Sequence, residues 1–186
     1  RNGERLVTTP GVLEEERRML AFARDGRGTC DPLDVAPHAF AREWLNAGQR
    51  KAVEHVLGSS DRVVLIRGAA GVGKTAMMQE AVEAIETGGK RVFAFAPSAD
   101  ASRGVLRQEG FADADTVARL LLDERLQAEV RGNVVWIDEA GLIGSRTMAQ
   151  VFELAGRLGA RVVLSGDRRQ HGSVERGSAL RLLEEE

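Results

Sequence analysis

The densest chemistry in the chain lies in Gly68-Ala69-Ala70-Gly71-Val72-Gly73-Lys74-Thr75. The spacing is G-x-x-x-x-G-K-[ST], a loop suited to cradling phosphates. Gly68, Gly71 and Gly73 let the backbone curl until consecutive N–H groups, that of Val72 included, point inward at phosphate oxygens. A helix opening at Lys74 would add positive potential and free N–H donors. Lys74 would reach the β- and γ-phosphates, and Thr75 would place its hydroxyl on Mg2+. The ligand such a loop implies is a nucleoside triphosphate with Mg2+.

A second constellation is Val134-Val135-Trp136-Ile137-Asp138-Glu139-Ala140-Gly141, an apolar run ending in two acids. Acids at the carboxyl end of a parallel strand lie at the rim where α/β sheets bind ligands. Asp138 would hold Mg2+, largely through water. Glu139 would orient and deprotonate an attacking water. A third run, Val163-Leu164-Ser165-Gly166-Asp167-Arg168-Arg169-Gln170, ends at the same rim. Gln170, donor and acceptor at once, can hydrogen-bond a γ-phosphate or that water. Arg168 and Arg169 can touch phosphate, or stand as an exposed pair. Upstream, Gln49 opens a helix, and its amide can pair with adenine N6 and N7, which would select ATP. Trp136 reads as a core residue of its strand. Trp44 either packs near the adenine or packs a helix.

These groups need a scaffold that brings strand ends together. Runs at 62–66, 91–96, 133–137 and 161–164 are apolar without strict alternation, the pattern of strands buried on both faces. Helix-length segments separate them: 74–87, 99–108, 116–130 and 145–158. The alternation predicts a three-layer α/β fold with a mostly parallel sheet. Gly88-Gly89, Gly132 and Gly159 fall where helices should stop. Thr9-Pro10 reads as a helix start, followed by an apolar face that Asp25-Gly26 ends. The expected organisation is a helical module and linker over 1–40 and a main domain over 41–186.

The 186 residues are 43% hydrophobic and 29% charged, which suits one soluble α/β domain. No apolar stretch is long enough for a membrane span, and no leader precedes the first helix, so a cytoplasmic location is expected. A single cysteine, Cys30, excludes a disulfide framework and a cysteine zinc site. The net charge of −2 argues against whole-surface binding of nucleic acid but leaves room for a local basic groove. Lysine occurs only at 51, 74 and 90, so Lys74 stands out. A start at Arg1 and an end in a helix-like Leu-Leu-Glu-Glu-Glu run suggest a segment of a longer protein.

Gln49, the loop 68–75, Asp138-Glu139-Ala140-Gly141 and Gly166-Asp167-Arg168-Arg169-Gln170 occur in order on one expected sheet. Together they resemble the Q motif and motifs I, II and III of the first RecA-like domain, a P-loop NTPase fold, of superfamily 1 DNA helicases. The resemblance is to the RecD-like branch, the exonuclease V alpha-subunit type, and within it to the helicase half of conjugative relaxases. It implies ATP hydrolysis with Mg2+, 5′-to-3′ movement on single-stranded DNA and association with conjugation machinery. It also implies a second RecA-like domain in the longer chain, which supplies the arginine finger. Ala96-Pro97-Ser98 resembles a segment that contacts single-stranded DNA, through Ser98 and Arg103. Thr116 resembles the next DNA-facing residue, and a helix N-cap is an equal reading of it. With no tyrosine in the chain, the transesterifying nucleophile of a relaxase lies elsewhere.

Two other classes compete. One is a nucleotide-dependent DNA- or protein-binding module with little turnover, against which the intact hydrolytic positions argue. The other is a small-molecule kinase, which has no use for a water-activating Glu139.

Overall fold

Strands without a polar face must be covered on both sides, and here they are. In a computed structural model of the chain, residues 10–34, 37–67, 73–166 and 179–185 are described. Among these residues, five strands form one sheet: β1 (Val63–Arg67), β2 (Val92–Ala96), β3 (Asp115–Thr116), β4 (Val134–Ile137) and β5 (Arg161–Gly166). All pair in parallel, in the order β1-β5-β4-β2-β3. Every residue of β4 and β5 is buried.

Among the described residues, seven α-helices accompany the sheet: α1 (Pro10–Asp25), α2 (Ala47–Gly58), α3 (Lys74–Thr87), α4 (Val117–Leu122), α5 (Glu124–Val130), α6 (Ser145–Leu158) and α7 (Ala179–Glu185). Successive side chains of a strand point to opposite faces. One face carries Val64, Ile66, Ala94, Trp136 and Val163 against Met77, Met78 and Ile85 of α3 and Val53 and Val56 of α2. The other carries Val135, Ile137, Val162 and Leu164 against Val151 and Phe152 of α6 and Met19 of α1. This is the three-layer α/β/α arrangement that the strand–helix alternation predicts.

α1 shares that second core. Met19 has no exposed surface, and Phe22 stacks on Phe152 with ring centroids 5.1 Å apart. Gly156 permits the approach, since a Cβ there would sit 3.0 Å from the Phe22 ring.

Three elements depart from the sequence reading. β3 is two residues long and begins with an aspartate, so no apolar run announces it. Residues 100–106 form a π-helix within the segment expected as a helix over 99–108. The helix expected over 116–130 breaks at Asp123, whose carboxylate accepts from Arg125 N at 3.0 Å and Leu126 N at 3.1 Å and so caps α5. A residue that can start a helix has ended one in mid-run.

Candidate nucleotide site

β5 lies between β1, which leads to the glycine-rich loop, and β4, which leads into Asp138. The strand ends of three neighbours therefore converge on one rim. Trp136 and Asp138 are two residues apart and share a face, as do Val163 and Ser165. That face is the one α3 covers, and α3 opens with Lys74. Strand alternation thus aims the lysine, the aspartate and the serine at each other.

Lys74 Nζ is 2.8 Å from Asp138 Oδ1. Ser165 Oγ donates to the same oxygen at 2.8 Å, and Trp136 Nε1 donates to Ser165 Oγ at 3.0 Å. Asp138 is further fixed by its own N–H, which donates to the Phe95 carbonyl of β2 at 2.8 Å. Among the described residues, both partners of the Asp138 carboxylate fall on Oδ1. Oδ2 remains as an oxygen donor for a hard cation.

Glu139 is the sole non-glycine at positive φ among the described residues, with φ 53°. Left-handed backbone is costly for an L-residue and tends to mark functional turns. Its carbonyl accepts from Leu142 N at 2.9 Å, which closes a 3-10 turn over Ala140–Leu142. The turn puts Glu139 directly after the paired aspartate, with no side-chain partner among the described residues.

Gly73 precedes α3 with φ 65°, and its carbonyl accepts from Gln49 Nε2 at 2.9 Å. Gln49 Oε1 accepts from Asn46 N at 2.8 Å, and Asn46 Oδ1 accepts from Gln49 N at 3.0 Å. Asn46 and Gln49 form a capping box on α2. The amide read from sequence as an adenine reader is thus engaged with the helix start and with the loop. Thr75 is half-buried in the first turn of α3. Gly68, Gly71, Val72 and Gln170 lie outside the described residues, as do Asp167, Arg168 and Arg169.

α3 is anchored from below. Glu80, 2% exposed, accepts from His38 Nε2 at 2.8 Å, Ala41 N at 2.8 Å and Arg42 N at 3.1 Å, and pairs with Arg42 Nη1 at 3.0 Å. Burial alone would raise its pKa. The hydrogen bonds from His38, Arg42 and the two backbone groups outweigh it and hold the carboxyl down at about 2.

Of the residues expected on DNA, Arg103 and Thr116 gather around Asp115. Arg103 donates to Asp115 Oδ1 through Nε at 3.1 Å and Nη2 at 2.8 Å. Arg119 Nη1 reaches Oδ2 at 2.6 Å and Arg107 Nη2 at 3.4 Å. Thr116 caps α4, its Oγ1 accepting from Arg119 N at 3.1 Å. Exposed Ser98 accepts from Ala101 N at 3.1 Å. Trp44 is 70% exposed.

Sequence reasoning passed over Ser165, Asn46, Glu80 and Asp115. Asn46-x-x-Gln49 is a readable capping pattern. Ser165 would follow from alternation once β5 is placed beside β4, a neighbour relation that the sequence does not print. No three His, Cys, Asp or Glu among the described residues group to hold a metal by themselves. Mg2+ needs no such cluster, since it keeps waters and takes one or two carboxylates plus substrate phosphates.

A lysine at the head of a helix, paired to an acid on a strand one removed from its own, defines a P-loop nucleotide-binding domain. The chain belongs to the family described as AAA domain, whose model matches residues 44–186. It is similar to the probable conjugal transfer protein TraA of Sinorhizobium fredii, 36% identical over 152 residues, 81% of this chain and 14% of that protein. The multifunctional conjugation protein TraI of Escherichia coli is 30% identical over 190 residues, 97% of this chain and 11% of TraI. The ATP-dependent RecD2 DNA helicase of Deinococcus radiodurans is 28% identical over 195 residues, 97% of this chain and 26% of that protein. Among solved structures, the Pif1 helicase of Candida albicans has the same fold, with a TM-score of 0.55 over 75% of this chain and 38% of that one at 18% identity. The chain thus spans a small part of the length of the curated relatives it matches. No helix among the described residues is long and apolar enough to cross a membrane.

Proposed function

We propose that residues 41–186 are the first RecA-like motor domain of a DNA helicase, the helicase part of a conjugative relaxase or a RecD-like 5′-to-3′ enzyme. Residues 1–40 are the N-terminal helical module and linker of this reading, of which α1 packs against α6 through Met19 and Phe22. The observation that carries this reading is the Lys74–Asp138 pair at 2.8 Å, with Glu139 next in the chain. When ATP binds, Lys74 exchanges Asp138 for the β- and γ-phosphates. Backbone N–H groups of Gly68, Gly71, Val72 and Gly73 cradle the phosphate chain. Thr75 and Asp138 would hold Mg2+, which would supply neutralisation of the phosphate charge. Glu139 takes a proton from water as its oxygen attacks the γ-phosphorus, and the bond to the β-phosphate oxygen breaks to leave ADP and phosphate. Gln170 orients that water or the γ-phosphate. Gln49 acts on the loop through Gly73, and pairing with adenine through both amide atoms would compete with its bonds to Asn46 N and the Gly73 carbonyl. Ser98, Arg103 and Thr116 contact single-stranded DNA, and a second RecA-like domain of the longer, cytoplasmic protein closes the cleft. An arginine finger from that domain is worth about 10³–10⁵ in rate.

The experiment uses the full-length protein with Glu139→Gln. Nucleotide binding should be kept while single-turnover hydrolysis falls by about 10²-fold or more, the scale of acid–base catalysis. Undiminished hydrolysis removes Glu139 from the mechanism. Failure of the unmutated protein to unwind tailed duplex DNA with ATP removes the helicase reading.

A further inference from the structure

We propose that Ser165 is the positioning residue that holds Asp138 at the metal-binding edge, with Trp136 as the group that aims it. The inference rests on the nucleotide-site reading above and extends it to two residues in the strands behind the site.

Hydrogen-bond inventory fixes the direction of the chain. An indole N–H can only donate, and an ionised carboxylate can only accept. Trp136 has no exposed surface, so its N–H needs a partner inside the protein, and Ser165 Oγ supplies one at 3.0 Å. With a lone pair so occupied, the serine keeps one proton to give. Two acceptors lie near it: Asp138 Oδ1 at 2.8 Å and the Ile137 carbonyl at 3.5 Å. The short, charge-assisted bond is to Asp138. Ser165 is itself 1% exposed and lies on a fully buried strand, so this hydroxyl has a fixed place.

The consequence concerns what happens when Lys74 leaves. In the structure, Asp138 Oδ1 has two partners, Lys74 and Ser165. ATP phosphates compete for the lysine and not for the serine. Ser165 then remains as the partner that keeps Oδ1 inward and Oδ2 outward, sparing the carboxylate the loss of rotamer freedom on metal binding. β5 also leads directly into the segment that carries Gln170, so the same hydroxyl ties that strand end to the metal carboxylate.

The test is Ser165→Ala in the full-length protein, with Mn2+ as a spectroscopic stand-in for Mg2+. Mn2+ affinity is read by electron paramagnetic resonance in the presence of a non-hydrolysable ATP analogue. Affinity for the analogue alone is read separately in EDTA. Losing a partner that orients a metal ligand should weaken Mn2+ about 10–100-fold, while metal-free nucleotide affinity, set by the glycine-rich loop, holds. Ser165→Thr, which restores the hydroxyl, should recover Mn2+ affinity. Unchanged Mn2+ affinity, or an equal loss in both titrations, overturns the positioning role. Should Ser165→Ala not fold, Trp136→Phe carries the test: it removes the aiming donor and should weaken Mn2+ by a smaller factor, and no change overturns the proposal. If the unmutated protein binds no nucleotide at all, the nucleotide-site reading itself fails, a result distinct from either.

Discussion

Two aspartates near the carboxyl edge of one sheet are treated in opposite ways. Asp115 has both oxygens occupied: Arg103 and Thr116 N bond Oδ1, while Arg107 and Arg119 bond Oδ2. Asp138 has two partners on one oxygen, one of them a lysine that a phosphate can take away. Burial would raise the Asp115 pKa, but Arg103, the Thr116 N–H and Arg119 outweigh it and hold the group at about 2. A carboxylate with every lone pair claimed fixes structure. A carboxylate with an oxygen in reserve and an exchangeable partner can do chemistry. Residue type and sheet position do not separate the two, but the count of partners does. Glu80, with four donors on a buried carboxyl, sides with Asp115 although it lies on the same helix as Lys74.

The largest effect that would sharpen this contrast is on stability at Asp115. Asp115→Ala should cost about 3 kcal/mol, the low end for breaking a buried ion pair. The low end applies because the three guanidiniums are close to half exposed and can turn to water. The pH dependence follows from the depressed pKa. The contribution of Asp115 is complete above its ordinary 3.8 and is lost as pH falls through about 2. Glu80 adds the same sign between 4.5 and about 2. Urea titrations at pH 7 and acid titrations followed by circular dichroism check both, with Asp115→Asn expected to flatten part of the acid limb. If Asp115→Ala melts like the unmutated protein yet loses DNA binding, the arginine cluster serves the ligand rather than the fold, and the contrast breaks.

Gly73→Ala probes the other side of the comparison, with a smaller cost. Left-handed backbone penalises an L-residue by roughly 1–2 kcal/mol, and Gly73 has φ 65°. The added Cβ would also land on Gln49 Nε2 and displace the bond between α2 and the loop. The expected outcome is a modest fall in melting temperature with a clear loss of nucleotide affinity, read by titration with a fluorescent analogue. An equal loss from Gln49→Ala would place the effect in that bond. Full nucleotide affinity in Gly73→Ala would mean that the loop tolerates a different backbone at its last turn.

The sequence laid open the parts of the molecule governed by local rules. The limits of α3 and α6 match the reading of 74–87 and 145–158, because glycines and the strand runs delimit them. That the glycine-rich loop and the Asp138-Glu139 pair share one rim was legible too, since loops gather at the carboxyl edge of a parallel sheet, but the direct Lys74–Asp138 contact was not read. What stayed hidden depends on which strands are neighbours. The contacts of Ser165 require β5 to lie beside β4, and those of Asp115 require β3 to pair with β2 at Phe95 and Ala96. Arg103 was named through the resemblance as a DNA contact, but its carboxylate partner lies across a turn that no periodicity marks. Gln49 shows a further limit. Its amide suits a base edge and a capping box equally, and only the Asn46 geometry distinguishes the two.

The smallest effect, at Thr116, separates the two readings that the sequence left level. Its Oγ1 accepts from Arg119 N, so the cap uses a lone pair and leaves the hydroxyl proton available to a phosphate. Capping and DNA contact are therefore compatible, and one substitution cannot tell them apart. Thr116→Ala removes both and should lower stability by about 1 kcal/mol, the usual worth of an N-cap. Thr116→Asn keeps an acceptor of equal or better capping strength but offers an amide in place of the hydroxyl. Stability should return with Asn. Affinity of the full-length protein for single-stranded DNA, measured by fluorescence anisotropy at fixed salt, then gives the answer. If Thr116 only caps, Asn restores affinity along with stability. If the hydroxyl also meets DNA, affinity stays low in a protein that is fully stable, and the arginine-ringed edge of the sheet gains a ligand-facing residue beside its saturated aspartate.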